Sequence, residues 1–267
     1  MDTYTIHPLH CGVINSNMTK GGLTYLVDEG VPVSIPVVVF AITPDDPSDD
    51  RVVVVDAGVE AGTVSGRAIE CGGAEPIRER LATLDLAPAD VDQLVLTHLH
   101  HDHAAHVDLF PNAEVLLQRR EWVAANDPLP PMERVYLDRH IDAVEAAELT
   151  LVDGGFRLAE GLELIHAPGH TEGMQAVLVE TAAGPHAIVS DLVYCRQNLE
   201  PDVPQITDVT GRVIETTPVD YDYLPPGLHV SVTDCYESID RIRERVGPGG
   251  VLVGGHAVEV LDGPYPR

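Results

Sequence analysis

An apolar run, Gln93 to Leu96, leads straight into Thr97-His98-Leu99-His100-His101-Asp102-His103. The embedded pattern is His-x-His-x-Asp-His, and four potential metal ligands within six residues are hard to explain as packing. Imidazole nitrogen and carboxylate oxygen together suit zinc and similar divalent ions. In a segment leaving a strand, His98 and His100 alternate onto the same side. Asp102 and His103 fall where a following helix would begin, and so can turn toward a second centre. The plain alternative is a solvated polar loop. The ligand types and the strand–loop–helix context weigh against it.

The rest of the chain reads as short strands and helices. Strands are predicted at Leu23–Val27, Val33–Ile42 and Arg51–Val55, with Pro36 marking an edge position or a bulge. The glycine-rich stretch 59–73 reads as a loop. A helix is predicted over Pro76–Leu84, with Ile77, Leu81 and Leu84 on one side. Further strands are expected at Gln93–Leu96, Val115–Gln118, Leu149–Leu151, Leu162–His166, Gln175–Glu180, His186–Val189 and Val251–Val253. Helices are expected to begin near Arg120 and to run from Asp234 to Val246. The stretch 198–230, rich in proline and acid, reads as an inserted loop within a single domain spanning 1–267. Two sheets with helices outside, a four-layer αββα sandwich, accommodate this order.

Composition narrows the function classes. Acids outnumber bases 43 to 16, a net charge of −27, and Lys20 is the only lysine. The acids are spread through periodic segments, which suggests a halophilic surface, screened by salt and strongly hydrated. A nucleic-acid partner needs a basic face, so none is expected. No apolar stretch approaches a membrane span, and the N-terminus lacks a secretory pattern, so a soluble cytoplasmic protein is the default. The four cysteines form no Cys-x-x-Cys pair and read as buried free thiols.

Three more ligand candidates sit at strand ends: His170 in Pro168-Gly169-His170, Asp191 after Ala187–Ser190, and His256 after Val251–Val253. With the first cluster they suffice for a dinuclear site. His98, His100 and His170 would hold one ion, and Asp102, His103 and His256 the other. Asp191 would bridge them, because a carboxylate has two oxygens to share. These motifs resemble the metallo-β-lactamase superfamily, and within it the N-acyl homoserine lactonases. Beyond the histidine cluster, Gln118-Arg119-Arg120-Glu121-Trp122 is similar to a lactonase Gln-Arg-x-Glu-aromatic run. Ala167 to Gln175 is similar to the family's later histidine segment, and Asp191-Leu192-Val193-Tyr194 to its Asp-x-x-Tyr. Asp56-Ala57-Gly58 resembles the superfamily's Asp-Thr-Gly turn, implying a supporting role behind the ligands.

The resemblance implies the metallo-β-lactamase-like fold and two Zn2+, with Fe, Mn or Co as substitutes. It implies opening of a lactone, an N-acyl homoserine lactone (quorum quenching), by water activated between the metals. Tyr194 would hydrogen-bond the developing oxyanion, and Asp102 would pass a proton to the leaving oxygen. The partner is then a small-molecule ester or lactone, and a homodimer is compatible with it. Two departures stand out. His101 occupies a position where lactonases carry an aromatic residue, and the stretch after Leu199 is longer; both would line or cover the substrate pocket. His106 and His166 read as capping or packing residues, and Arg119-Arg120 as surface ion-pair partners. A glyoxalase II-like thioesterase, a tRNA-processing nuclease and an iron oxidoreductase share the ligand pattern and stand as rivals.

Overall fold

The apolar run Val37 to Ile42 is buried throughout, and its alternation explains the layering. Val38, Phe40 and Ile42 join one core while Val39 and Ala41 join another. A strand buried on both faces must lie between two layers. The computed structural model describes residues 2–266 of the chain.

The first sheet comprises β1 (Tyr4–Thr19), β2 (Pro32–Pro44), β3 (Val53–Val55), β4 (Gly62–Val64), β5 (Arg67–Glu70), β6 (Gln93–Val95), β7 (Glu114–Gln118) and β8 (Glu148–Val152). Its spatial order is β4-β5-β1-β2-β3-β6-β7-β8, and β3, β6, β7 and β8 run parallel. The second sheet uses β9 (Phe156–Ala159), β10 (Leu162–His166), β11 (Gln175–Thr181) and β12 (Gly184–Ser190). A hairpin of β13 (Gln205–Thr207) and β14 (Val213–Glu215) stands apart, and β15 (Val251–Gly254) pairs parallel with β12. The central core lies between the sheets, where Phe40, Val55 and Val95 meet Leu164, Val177 and Ile188. On the outer face of the first sheet, Ile77 and Leu81 of α2 (Ala74–Ala82) pack with Ala125 of α3 (Arg119–Asn126) and Val144 of α4 (Asp138–Ala146). On the outer face of the second lie Cys235, Ile239, Ile242 and Val246 of α6 (Val232–Val246). The architecture is therefore the αββα sandwich anticipated from the strand order.

Several local expectations are corrected. Leu23–Val27 is not a strand: α1 (Lys20–Leu23) leads into turns with Leu26 and Asp28 at positive φ. The stretch 59–73 contains the β4–β5 hairpin, turned at Ser65-Gly66. No α-helix follows Asp102; the chain makes tight turns, then a 3-10 turn at Val107–Leu109. Pro36 lies on an interior strand, yet β3 pairs only opposite Phe40 to Ile42, so Pro36 is free on that flank. A register shift in β1 between His10 and Gly12 lies beside it. Stretch 198–230 is built rather than loose, since Val203, Ile206, Ile214, Tyr223 and Leu224 are buried. It starts from α5 (Arg196–Leu199). Cys11, Cys195 and Cys235 are buried free thiols, but Cys71 is exposed.

Lys20 anchors that segment. Its ammonium is fully buried, 2.6 Å from Asp28 Oδ2, and it also donates to Thr24 and to Gln197 of α5. No helix among the described residues is long and apolar enough to cross a membrane.

Candidate metal centre

Parallel pairing brings the site together. β3 and β6 run side by side with Val55 opposite Val95, so Asp56 and His98 leave at the same sheet end. In the second sheet β12 and β15 are parallel, with Ser190 opposite Gly254, which sets Asp191 beside His256. His170 enters from the turn between β10 and β11. Ligand-bearing loops at the carboxyl ends of strands follow the general rule for such sheets.

The structure gathers all seven candidates. Three overlapping sets have ligand atoms within 4.8 Å of one another: His98, His100 and His170; His98, His103 and Asp191; and Asp102, His103 and His256. Asp191 sits between the groups. Its Oδ2 lies 3.9 Å from His98 Nε2 and 3.3 Å from His170 Nε2. Its Oδ1 lies 3.2 Å from His103 Nε2 and 3.3 Å from His256 Nε2. Each oxygen thus serves a different set of imidazoles.

Divalent cations fit this arrangement. His98 Nε2 and His100 Nε2 are buried without any hydrogen-bond partner. His100 Nδ1 faces His170 Nε2 at 3.0 Å, and His103 Nε2 faces His256 Nε2 at 3.3 Å. Buried nitrogens aimed at one another without proton donors call for a cation. The far sides of the rings are tied down. His103 Nδ1 donates to Asp56 Oδ2 at 2.8 Å, His170 Nδ1 to the Leu228 carbonyl at 2.7 Å, and His256 Nδ1 to the Pro36 carbonyl at 2.7 Å. Those bonds put the Nε2 lone pairs on the centre.

The electrostatics divide the five histidines: against burial, the Asp191 carboxylate and its neighbours hold His103 and His256 above the ordinary histidine value, protons that a bound cation would displace. Burial is the main cause holding His98, His100 and His170 below the ordinary histidine value, so they are neutral, as ligands must be. Burial alone would raise Asp191, but the imidazoles of His103, His256 and His170 outweigh it and keep the carboxylate charged. Asp102 is likewise held low by His101, His103 and His256 against the opposing effect of burial. Burial, followed by the Asp191 charge, raises Tyr194, whose hydroxyl stays protonated and donates to Asp191 Oδ2.

A model of the metallo-beta-lactamase superfamily matches residues 33–256, which include every one of these residues. The chain belongs to that superfamily. Among curated relatives, an N-acyl homoserine lactonase from a Bacillus species is 31% identical over 118 residues, 44% of either chain. A hydroxyacylglutathione hydrolase from Aeromonas hydrophila is 37% identical over 109 residues, 39% of this chain and 35% of that one. The chain thus spans less than half the length of either relative. The crystal structure of a mutant of AiiA from B. thuringiensis, with N-decanoyl-L-homoserine bound at its active site, superposes with a TM-score of 0.75. It covers 100% of this chain and 99% of that one at 19% identity, a likeness of fold.

Around this metallo-beta-lactamase centre, supporting residues emerge that the motif alone did not single out. Glu121, fully buried in α3, accepts from Leu99 N at 3.0 Å, Tyr136 Oη at 3.1 Å and Thr171 Oγ1 at 2.6 Å. It therefore joins the two histidine loops; its place in the Gln118–Trp122 run was the available signal. Asp56 accepts from the amide and the hydroxyl of Thr97 as well as from His103. A cleft opens over the centre, walled by Ile14, Ile35, Met132, Val135 and Leu228. Tyr194, His101, Arg67 and Arg134 also line it. No periodicity could have signalled Arg67 or Arg134, because the first starts a short strand in a glycine-rich hairpin and the second lies in a turn. His166 bonds to the Glu172 carbonyl and Arg119 pairs with Asp153 on the surface, the structural roles anticipated for them, whereas the His106 side chain caps no helix and bonds instead to the Val59 carbonyl.

Proposed function

We propose that the protein is a dinuclear metal-dependent hydrolase that opens the ester bond of a lactone, an N-acyl homoserine lactone above all, and so removes a quorum-sensing signal. One observation carries the reading: Asp191 presents a different oxygen to each of two histidine sets, beside a tyrosine hydroxyl at the base of an open cleft. His98, His100 and His170 would hold one ion and Asp102, His103 and His256 the other, with Asp191 shared. Two divalent cations bound there, zinc or else iron, manganese or cobalt, would lower the pKa of a water toward neutrality and polarise a carbonyl.

The chain's own groups supply the rest. Tyr194 is a protonated donor that can turn from Asp191 to the oxyanion forming on the substrate carbonyl. Asp102, the least enclosed of the seven, lines the cleft and can carry a proton to the leaving alkoxide. The apolar walls exclude water from the acyl side. In a lactone the leaving oxygen stays tethered, so the product is a single hydroxy acid. The Asp191-x-x-Tyr194 pattern and the Bacillus lactonase relative support this reading over a thioesterase.

The test is proton release from a panel of lactones, thioesters and phosphodiesters, with metal content measured on the same preparation. Turnover of lactones with two metals per chain is the expected result. A preference for thioesters would transfer the assignment to the hydroxyacylglutathione hydrolase side of the superfamily.

A further inference from the structure

We infer that the cleft is built for a substrate bearing a carboxylate on the side away from the scissile ester, with Arg67 as its partner and Arg134 as a second cation at the rim. The charge distribution is the first observation. The chain carries 43 acids against 16 bases. Yet beyond the centre's own Asp102 and Asp191, the cleft is lined by two arginines and no carboxylate. Two cations thus stand against the two carboxylates of the centre, in a chain whose acids otherwise far outnumber its bases.

The second observation is how Arg67 is held. It is half-buried, and no carboxylate among the described residues lies within ion-pairing distance of it. Its guanidinium lies 3.4 Å from His101 Nε2, and His101 Nδ1 in turn lies 3.7 Å from Asp102 Oδ1. The cation is thus one imidazole removed from the centre, and it sits against the residue that departs from the lactonase aromatic pattern. The third is a clamp: Ser65 Oγ donates to the Arg134 carbonyl at 2.5 Å, closing the β4–β5 turn onto the 131–135 segment. The segments carrying the two arginines are thereby held together on one rim.

A long neutral chain laid along Ile14, Ile35 and Leu228 would cover Arg67 and strip its water without giving it an anionic partner, which is unfavourable. A short acyl chain ending in carboxylate packs on the same apolar wall and pairs with the guanidinium. The carboxylate produced by hydrolysis cannot be the intended ligand, since it forms at the centre itself.

The choice of scaffold rests on the lactone reading, so the experiment separates the two. N-succinyl-homoserine lactone and its N-succinamoyl counterpart are nearly isosteric and differ by one charge. The metal-loaded protein is expected to prefer the succinyl compound by about tenfold in kcat/KM at low salt, the ratio falling as KCl is raised. Arg67→Met should bring the ratio to within about twofold of unity, Arg67→Lys should leave an intermediate value, and Arg157→Met, on the exposed strand β9, should keep the wild-type value. A wild-type ratio of one or less, or a ratio untouched by Arg67→Met, overturns the inference. If neither lactone opens, the lactone reading fails by itself. Calorimetric binding of the ring-opened N-succinyl- and N-succinamoyl-homoserine then decides the cationic rim. Tighter binding of the charged probe, lost in Arg67→Met, upholds it; equal binding removes it.

Discussion

Asp56 adopts a left-handed backbone conformation, φ 66°, which a non-glycine residue enters at some cost. The return is a carboxylate aimed at Thr97 and His103 together. Asp56→Asn keeps the shape but weakens the bond that orients His103, and metal affinity should fall about 10- to 100-fold in a chelator competition. Asp191→Asn removes the shared charge and should lose both metal occupancy and rate. Tyr194→Phe should retain its metals while turnover falls about a hundredfold; wild-type turnover in that variant would discard the oxyanion role. Glu60 offers a pH test away from the centre. Its bidentate pair with Arg139 and its contact with His140 hold its carboxyl down to about 2 from an ordinary 4.5. A depressed carboxyl stabilises the fold above pH 4.5 and loses that effect as pH falls toward 2. Both partners are substantially solvated, so the contribution is about 0.5 kcal/mol or less. The urea midpoints of wild type and Glu60→Gln should therefore differ slightly at pH 6 and converge near pH 2.

At the element scale, the junction of α3 with the His170 turn is among the tightest in the molecule. A Cβ on Gly173 would lie 1.9 Å from the Glu121 amide nitrogen, closer than any real contact. Gly173→Ala must displace α3 and with it the Leu99 and Thr171 hydrogen bonds; activity and metal content should both drop, with the change visible in crystal coordinates. On the opposite face, Ile239→Ala in α6 should cost about 2–5 kcal/mol in denaturant unfolding, since the side chain is fully enclosed. These elements also show what a one-dimensional reading can reach. Strands such as Val115–Gln118 and His186–Val189 were legible because uninterrupted apolar runs are buried on both faces. The candidate ligands were legible because each follows such a run. β1 was not, because His7, Pro8 and His10 break its apolar pattern and its pairing with β2 is long-range. The β4–β5 hairpin hid behind glycines, and α4 behind the prolines preceding it. Several cleft residues lie on β1, on β5 or in irregular turns, as Ile14, Arg67, Met132 and Leu228 do, so the centre was more readable than its specificity.

Taken as a whole, the molecule is an anionic shell around a cation-seeking core. Of the 43 acids, only Asp56, Glu121, Asp191 and Asp208 are buried. Repulsion among the remainder weakens at high ionic strength, so the thermal midpoint should rise as KCl goes from 0.1 to 2 M. A midpoint insensitive to salt would remove the proposal of a halophilic surface. Metal removal acts in the other direction. Stripping the ions leaves facing imidazole nitrogens and a buried carboxylate uncompensated, so chelation at constant salt should lower the midpoint, restored on adding back zinc. One practical consequence follows from Lys20, whose ammonium is enclosed by Asp28, Thr24 and Gln197. With no second lysine in the chain, the folded protein shows amine-reactive dyes, cross-linkers and coupling resins no side-chain target. Acylation of that one nitrogen would report the moment the 197–217 segment comes loose from α1.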